Sequence, residues 1–341
     1  MKALNILIDI GHPAHVHLFK NLIHHLKGKN HHVVVVSRDK DVTLNLLRYY
    51  KIESIVLSKV GTNPLKMLGE LTLRDLKVFK LHRKHGFDIA LGTSYSIAHL
   101  SALSRMKSFV FEEDDDHIVP LFSALTYPFA TGVVIPACLK YKKWSKKRIL
   151  HNSYHELAYL HPDVFTPDKK IPQKYGLHPF SYILARFSAL KAHHDINKKG
   201  LTGNTWERIL HVLKDFPVVS TREGELTNKI APWDMHHILA FSKMLLSDSQ
   251  SMTMEAANLG VPSLRYSSFA GRISCLEELE HRYRLTFGFK PGEEDHMIQK
   301  IKNLLKHENL EEKWQDRRKT MLQEKDNFFK WQVKFFNSLL R

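Results

Sequence analysis

The chain has 341 residues, of which 43% are hydrophobic and 25% charged, and its formal net charge is +16. The length predicts two domains of ordinary size, and the apolar content excludes a disordered chain. No apolar run approaches the roughly eighteen residues of a membrane span, and the first residues lead into a strand and not into the apolar region of a signal peptide. We therefore expect a cytoplasmic protein.

The two cysteines and the net charge indicate which kinds of structural site and which kinds of binding partner to expect. Cys138 and Cys275 lie far apart in sequence, which predicts neither a disulfide framework nor a structural zinc site. The positive charge indicates an anionic partner: nucleic acid, an anionic membrane surface or a phosphorylated substrate. Because no zinc-finger spacing or RNA-recognition signature is present, we expect no nucleic-acid partner.

The first half of the chain alternates between patterns typical of strands and of helices. Residues 4–10 form an apolar run typical of a buried parallel strand, apolar positions in 16–26 recur at helical spacing, and 33–36 is typical of a second strand. The basic stretch 61–83 shows no clear period. This order predicts a Rossmann-like domain. Further strands are predicted at 55–57, 89–91, 108–111 and 127–134.

A histidine-rich loop follows the first predicted strand. Ligands of such folds lie beyond the carboxyl ends of the strands, so Gly11 and the histidines beside it are candidate site residues. We predict that His12 or His15 acts as a base or donates a hydrogen bond to a substrate phosphate or hydroxyl. The alternative is that these histidines only cap and pack around a turn. A metal site made by them with His17 is disfavoured, because Asp9 alone joins them as a further ligand.

An acidic run, 112–116, directly follows the predicted strand 108–111. Mutual repulsion raises the pKa values of neighbouring carboxylates unless cations or hydroxyl groups compensate. Glu112 or Glu113 is therefore a candidate general base for an acceptor hydroxyl. The Asp-x-Asp pattern in this run also resembles the diphosphate and metal motif of GT-A glycosyltransferases. That family is disfavoured by the phosphate-binding pattern near residue 250.

The second half of the chain repeats the alternating pattern after a proline- and lysine-rich linker, 166–180. At 244–264 an apolar strand leads through a small polar loop into a helix that stops at Gly260 before another strand. The first N–H groups of such a helix and its dipole attract a phosphate. The alternative is an ordinary helix capped by Ser249 or Ser251, with a solvated Glu255. Other strands are predicted at 181–185 and 217–220, and helices at 205–213 and 235–243.

The pattern Ser-x-Ser-x-x-x-Glu-Ala in this segment, followed by Gly and a Val-Pro strand, resembles the nucleotide-binding segment of GT-B glycosyltransferases and of non-hydrolysing UDP-N-acetylglucosamine 2-epimerases. In those families the loop binds the diphosphate and the glutamate binds the ribose of a nucleotide-sugar. The resemblance therefore implies these roles for Ser249, Gln250, Ser251 and Glu255.

Four longer motifs resemble an uncharacterised family, domain of unknown function 354, which is grouped with GT-B enzymes. They are Asp-Ile-Gly-His-Pro-Ala-His-Val-His, Tyr-His-Glu-Leu-Ala-Tyr-Leu-His-Pro, Arg-Phe-Ser-Ala-Leu-Lys-Ala-His-His-Asp and Asp-Ser-Gln-Ser-Met-Thr. The implied architecture is α/β, with two Rossmann-like parallel-sheet domains facing a cleft. We expect an N-terminal domain at 1–165, the linker, a C-terminal domain at 181–318 and a C-terminal helix at 319–341.

The GT-B resemblance also assigns residues outside the loops already named. Arg186 and Ser188 follow the first strand of the second domain, where a fixed cation can neutralise a leaving diphosphate in place of a metal. The alternative for Arg186 is a salt bridge. We expect His193 and His194 to contact the donor sugar or the diphosphate. The alternative is that this cluster only caps the next element through Asp195. Arg222 lies where GT-B enzymes read the base.

The C-terminal region from residue 311 is a long basic helical pattern with aromatic residues at 328, 331, 335 and 336. One face is therefore strongly apolar. In GT-B chains the last helix commonly crosses back onto the N-terminal domain, which is the packing we expect. The alternative is an amphipathic helix at the membrane surface.

The combined expectation is a glycosyltransferase that needs no metal or other cofactor. It would move a sugar from a nucleotide-sugar, most simply UDP-linked, to a hydroxyl of a cell-envelope glycan or lipid-linked acceptor, in the cytoplasm or at the inner face of the membrane. The epimerases carry an aspartate in the loop corresponding to 92–94 and a histidine beside the position of Arg186, and both are missing here. An epimerase is therefore the second hypothesis, and a non-catalytic binder of nucleotide-sugars or nucleic acid is the third.

Overall fold

The computed structural model describes residues 3–59, 64–140, 145–187, 203–221 and 230–340. The chain divides into two compact units. The first contains Met1–Tyr159 and Asp326–Arg341, and the second contains Leu160–Lys325. Both ends of the chain therefore belong to the first unit.

The first unit contains a parallel sheet of seven strands in the order β3-β2-β1-β4-β5-β6-β7. The strand order reverses between β1 and β4, and in open α/β sheets ligands bind outside the carboxyl ends of the strands at such a point. Apolar runs form the central strands because both faces of the sheet are covered. The strands are β1 Asn5–Ile10, β2 His32–Asp39, β3 Ile55–Lys59, β4 Ile89–Gly92, β5 Lys107–Phe111, β6 Gly132–Pro136 and β7 Arg148–His151.

Helices connect these strands, and α1 shows how an apolar face is buried. In α1 the buried residues Val16, Phe19, Ile23 and Leu26 recur at helical spacing. Helix α1 packs against α2, whereas α3 packs against α4 and α4 packs against α5. The helices are α1 Pro13–Gly28, α2 Thr43–Tyr49, α3 Pro64–His85, α4 Tyr95–Leu103 and α5 Pro120–Thr126.

The last helix, α13 (Phe328–Ser338), belongs to the first unit and packs on α1 and on the short 3-10 turn His155–Ala158. Phe328 and Phe336 are fully buried there, and Gln332 Nε2 donates to the carbonyl oxygen of Leu18. The expected return of the C-terminal helix to the N-terminal domain is thus confirmed. Because these aromatic side chains are buried in the protein, this face of the helix is not available to a membrane.

The second unit contains a parallel sheet of five strands in the order β12-β11-β10-β8-β9. Its order reverses between β8 and β10. The strands are β8 Ile183–Arg186, β9 Val218–Thr221, β10 Met244–Ser247, β11 Ser263–Tyr266 and β12 Thr286–Phe289. The helices are α6 Lys170–Lys174, α7 Gly203–Val212, α8 Met235–Ala240, α9 Gln250–Leu259, α10 Ser274–Glu277, α11 Glu294–Leu305 and α12 Leu310–Glu324.

The predicted strand, loop, helix, glycine stop and strand near residue 250 are confirmed as β10, α9 and β11. Gly260 ends α9 with φ of 71°, in the left-handed region that glycine adopts without strain. A Cβ at this position would also lie 2.7 Å from Nε2 of Gln315. Glycine is therefore favoured here by its conformation, and any other residue would also displace the side chain of Gln315.

Three segments differ from the sequence prediction. The stretch 61–83, which shows no clear period, largely coincides with the 22-residue helix α3, Pro64–His85, in which Val78 is buried and Leu73 and Leu76 are exposed. A helix, α5, precedes the sixth strand, and β7 lies at the end of a basic cluster. The long C-terminal pattern is broken at Asn327, whose side chain caps α13 by accepting from the N–H of Lys330, so that α12 and α13 are separate helices.

None of the helices in the described part of the chain is long and apolar enough to span a bilayer.

Candidate active site

A buried aspartate lies at the carboxyl end of β1, at the reversal point of the first sheet. Asp9 is fully buried, and its two oxygens contact Arg74 Nη2 of α3 and Ser94 Oγ, the latter at 2.5 Å. The backbone of Gly92 passes so close that a Cβ there would lie 2.6 Å from the carbonyl oxygen of Asp9. The aspartate therefore ties β1, α3 and β4 together, directly beside the histidine loop.

The histidine loop is arranged by hydrogen bonds from backbone N–H groups to imidazole rings. His12 is the N-cap of α1, and its Nδ1 accepts from the N–H of Ala14 at 3.2 Å. His15 Nδ1 accepts from the N–H of Gly11 at 3.3 Å. Since an accepting nitrogen carries no proton, both neutral rings carry theirs on Nε2. His12 and His15 are therefore arranged as hydrogen-bond donors and not as bases.

The charge state of His15 agrees with this arrangement. Burial is the main cause that lowers its pKa well below the usual value, and neighbouring basic side chains, among them Lys40 and Arg74, lower it further. His15 is consequently neutral at physiological pH. The third histidine, His17, lies not in a loop but in α1, as does His15, and it stacks on the ring of Tyr159 with centroids 5.2 Å apart.

Glu112 and Glu113 follow β5 as predicted, and both have pKa values near neutrality. Burial raises the pKa of Glu112 to about 8, and repulsion from Asp114 adds to this effect. Its Oε1 accepts from the N–H groups of Glu113 and Asp114, at 3.1 and 3.2 Å. Burial also raises the pKa of Glu113, to about 7, although hydrogen bonds from the His155 N–H and the Glu156 side chain oppose the shift. Both carboxyls therefore hold a proton more tightly than an exposed glutamate does.

Two residues that were not predicted as site residues hold Glu113. Its Oε2 accepts from the backbone N–H of His155 at 3.0 Å, and the adjacent Glu156 is 3% exposed. Burial lowers the pKa of His155 to about 3, so its ring is neutral. Nε2 of this ring is buried and has no hydrogen-bond partner among the residues that the structure describes. The only sequence signal for this pair was the Tyr-His-Glu-Leu-Ala motif.

The ring of His155 is supported by the last helix of the chain. It stacks on Phe328 with centroids 5.2 Å apart and planes at 15°, and on His151 at 5.7 Å. Phe328 in turn stacks on Trp331, also in α13. The returning helix thereby fixes the segment that holds Glu113.

The end of the acidic run has a structural role. Asp116 forms an ion pair with Arg148 of β7 at 2.7 Å, and both side chains are about 95% buried. Asp115 is also buried, and its carbonyl oxygen accepts from the N–H of Ile118 in the following turn. Glu112 and Glu113 are therefore the members of the run that remain candidate site residues.

In the second unit, Ser249 caps α9 at the reversal point of the sheet. Its Oγ accepts from the N–H of Met252 at 3.4 Å, while Ser247 Oγ accepts from the N–H of Ser249 and donates to the carbonyl oxygen of Arg186. The N–H groups of Gln250 and Ser251 lie in the first turn and have no hydrogen-bond partner in the described ranges. They are the groups that an anion at this helix end would meet.

Glu255 is buried and not solvated. It is 7% exposed, and its Oε1 lies 3.0 Å from His236 Nε2 of α8, which is buried too. The alternative stated above, an ordinary capped helix with a solvated Glu255, is therefore right about the cap and wrong about the glutamate. Binding of a ribose by Glu255 stays a prediction, and His236 is the residue that would orient its carboxylate.

The remaining predicted residues are divided by what the structure describes. Arg186 ends β8 and pairs in register with Ser247 of β10. Ser188, His193, His194 and Arg222 lie outside the described residues. No cluster of three or more histidine, cysteine, aspartate or glutamate side chains that could hold a metal is found in the described ranges.

Comparisons with known proteins identify the architecture. No family model matches the chain, and no curated protein matches it. Solved structures do match. Staphylococcus aureus MnaA with UDP gives a TM-score of 0.69 at 15% identity, covering 98% of this chain and 97% of that chain. UDP-GlcNAc 2-epimerase from Neisseria meningitidis, bound to UDP-GlcNAc, gives 0.63 at 14% identity and 96% coverage of both. The spinosyn forosaminyltransferase SpnP gives 0.64 at 12% identity and 99% coverage of both. The chain has the GT-B fold.

In the epimerases the loop that corresponds to 92–94 carries an aspartate. In this GT-B chain the loop has no carboxylate of its own, but it contacts one. Ser94 of that loop donates to Asp9, which β1 supplies. Because Asp9 is fully buried and paired with Arg74, it cannot touch a substrate. Its role is to hold the loop.

Proposed function

We propose that the protein is a glycosyltransferase that moves a sugar from a nucleotide-sugar donor to an acceptor hydroxyl. The observation that carries the proposal is the state of Glu113: a carboxyl at the end of a central strand, held by the N–H of His155, with a pKa of about 7. A base with this pKa is partly ionised at neutral pH and strong enough to accept a proton from a hydroxyl as it attacks.

Groups of the first unit and groups of the second unit have separate roles in the proposed reaction. Glu113 accepts the acceptor's proton while the hydroxyl oxygen forms the new bond to the anomeric carbon and the bond to the diphosphate breaks. His12 and His15 donate from Nε2 to oxygens of the substrate, since their Nδ1 atoms accept from the backbone. In the second unit, the first turn of α9 and Arg186 receive the negative charge of the departing diphosphate.

The donor proposed is a UDP-sugar, with Ser249, Gln250 and Ser251 at the diphosphate and Glu255 at the ribose. Two of the similar structures contain UDP or a UDP-sugar according to their descriptions, and this supports the choice of nucleotide. For the acceptor we propose a cell-envelope glycan or a lipid-linked glycan. No metal is assigned to the reaction, because Arg186 and the helix end supply positive charge at the diphosphate.

A second candidate function is epimerisation of the nucleotide-sugar. It is favoured by the adjacent Glu112 and Glu113, whose pKa values of about 8 and 7 would provide an acid and a base side by side. The missing aspartate and histidine of the epimerase pattern count against it.

Incubation with UDP-sugars in the presence of a bacterial lipid-linked glycan extract tests these proposals. Release of UDP that depends on the extract supports the transferase, and a new sugar epimer in the proton NMR spectrum supports the second candidate. Calorimetric binding of UDP without turnover would leave a nucleotide-sugar binder, and absence of UDP binding would refute all three. Glu113→Gln should abolish turnover while retaining UDP binding. Glu53→Gln, at an exposed glutamate of the same unit, is the matched control.

A further inference from the structure

Helix α3 exposes a stripe of large apolar side chains. Leu73, Leu76 and Phe79 follow one another at helical spacing and are 47%, 63% and 40% exposed, whereas Arg74 and Val78 on the opposite face are buried. In a water-soluble helix the apolar stripe normally faces the core. Here a second stripe faces outward.

The neighbouring helices continue this surface. His99 of α4 contacts Asp75 of α3 through Nδ1 and the carbonyl oxygen of Leu125 in α5 through Nε2, so the three helices form one layer. Leu103, at the end of α4, is 77% exposed, and Leu121 of α5 is 66% exposed. Several exposed apolar side chains on one layer mark an interaction site more often than an isolated exposed leucine does.

The charge on this layer is positive. Beyond the apolar part of the stripe, α3 exposes Lys80, Arg83 and Lys84, and Arg105 and Lys107 are exposed directly after Leu103. The two acidic residues of α3 are both engaged by basic side chains: Glu70 by Arg38 and Asp75 by His99. Helices α4 and α5 contain no acidic residue. Exposed leucine and phenylalanine side chains are thus flanked by basic groups on one layer.

We propose that the α3–α4–α5 layer of the first unit binds an anionic lipid bilayer surface. Leucine and phenylalanine side chains would enter the boundary between headgroups and acyl chains, and the basic groups would pair with lipid phosphates. The charge favours this occupant over a second copy of the chain. In a symmetric dimer the same patch meets itself, so the basic groups of α3 would find no anionic partner on the facing copy of this layer. The surface lies outside the groups assigned to glycosyl transfer, so the proposal is independent of that function.

Sedimentation with vesicles tests the proposal. The probes are vesicles of phosphatidylcholine alone and vesicles in which phosphatidylglycerol replaces about a third of the lipid. We expect the full-length protein to bind the anionic vesicles at least about tenfold more tightly and to dissociate as salt concentration rises. Lys80→Glu/Lys84→Glu should weaken this binding by about 25-fold or more, since each basic residue near such a surface contributes about a fivefold change. Leu73→Ser/Leu76→Ser should weaken it by about tenfold or more.

Two matched controls separate this surface from general effects of charge and hydrophobicity. Lys27→Glu/Lys29→Glu makes the same charge change at the exposed end of α1, and Leu150→Ser removes a leucine that is 58% exposed on β7. Both should bind anionic vesicles as the unchanged protein does. The proposal is overturned if the protein ignores anionic vesicles, or if the controls lose binding equally. It is also overturned if sedimentation equilibrium shows that Leu73→Ser/Leu76→Ser dissociates an oligomer, because the layer would then be covered by a second copy.

Discussion

Replacing Glu113 with glutamine should stabilise the protein at high pH while abolishing the proposed reaction. The folded protein raises the pKa of this carboxyl from 4.5 to about 7, so the folded state binds the proton more tightly than the unfolded state. The stabilising contribution is complete below pH 4.5 and is lost as pH rises through about 7. A shift of this size corresponds to about 3 kcal/mol. Because the side chain is 20% exposed, we reduce the expected cost of ionisation to about 1–2 kcal/mol.

Scanning calorimetry at pH 5 and pH 8 measures this effect. For a unit of this size about 1–2 kcal/mol corresponds to a Tm difference of about 2–8 °C. We expect Glu113→Gln to raise the Tm of the first unit by that amount at pH 8 and by much less at pH 5. Glu53→Gln removes an exposed carboxylate and should leave both values nearly unchanged. An equal shift at both pH values, or a lower Tm at pH 8, would refute the assignment of Glu113 as a buried group with a raised pKa.

Three further predictions concern the pH profile, the buried ion pair and the helix cap. If Glu113 is the base, kcat/KM should rise with pH up to about 7 and then level off, as measured by UDP release; a flat profile between pH 5 and 8 would exclude that role. Arg74→Met leaves Asp9 buried without its cation and should cost about 3–5 kcal/mol in urea unfolding, whereas Arg74→Met/Asp9→Asn should recover part of this loss. Ser249→Ala removes the cap of α9 and should lower the free energy of unfolding by about 1 kcal/mol. It should also weaken UDP binding, measured by calorimetry. Ser338→Ala, near the C-terminus, is the control.

The sequence predicted those parts of the fold in which local pattern and burial agree. Strands β1 and β10 read as apolar runs because helices cover both faces of their sheets, and Gly260 marks the end of α9 because its left-handed conformation favours glycine. Helix α3 did not follow such a pattern. Of its described apolar side chains, Val78 is buried whereas Leu73, Leu76 and Phe79 are exposed, so no single core-facing stripe appears in the sequence.

Site residues were predictable where they follow a strand directly. His12, His15, Glu112 and Glu113 could be found because parallel strands bring their carboxyl ends to one edge of the sheet. Their partners are distant in sequence: Arg74 is 65 residues from Asp9, and the N–H of His155 is 42 residues from the carboxylate of Glu113. The strand order and the returning helix α13 create these contacts, and neither leaves a local signal. The tautomers of His12 and His15 likewise depend on backbone N–H groups that only the folded loop places.

The raised pKa values of Glu112 and Glu113 occur in a chain of net charge +16, which would by itself favour ionised carboxylates. The magnitudes decide which effect is larger. A unit charge about 20 Å away in water contributes about 0.2 kcal/mol, and screening over a Debye length of about 8 Å reduces this roughly tenfold, so sixteen such charges amount to about 0.3 kcal/mol. For Glu113 the shift to about 7, reduced for partial exposure, corresponds to about 1–2 kcal/mol. Burial therefore outweighs the net charge severalfold. The chemistry assigned to these glutamates should consequently depend little on ionic strength, in contrast to the vesicle binding assigned to the basic surface of α3.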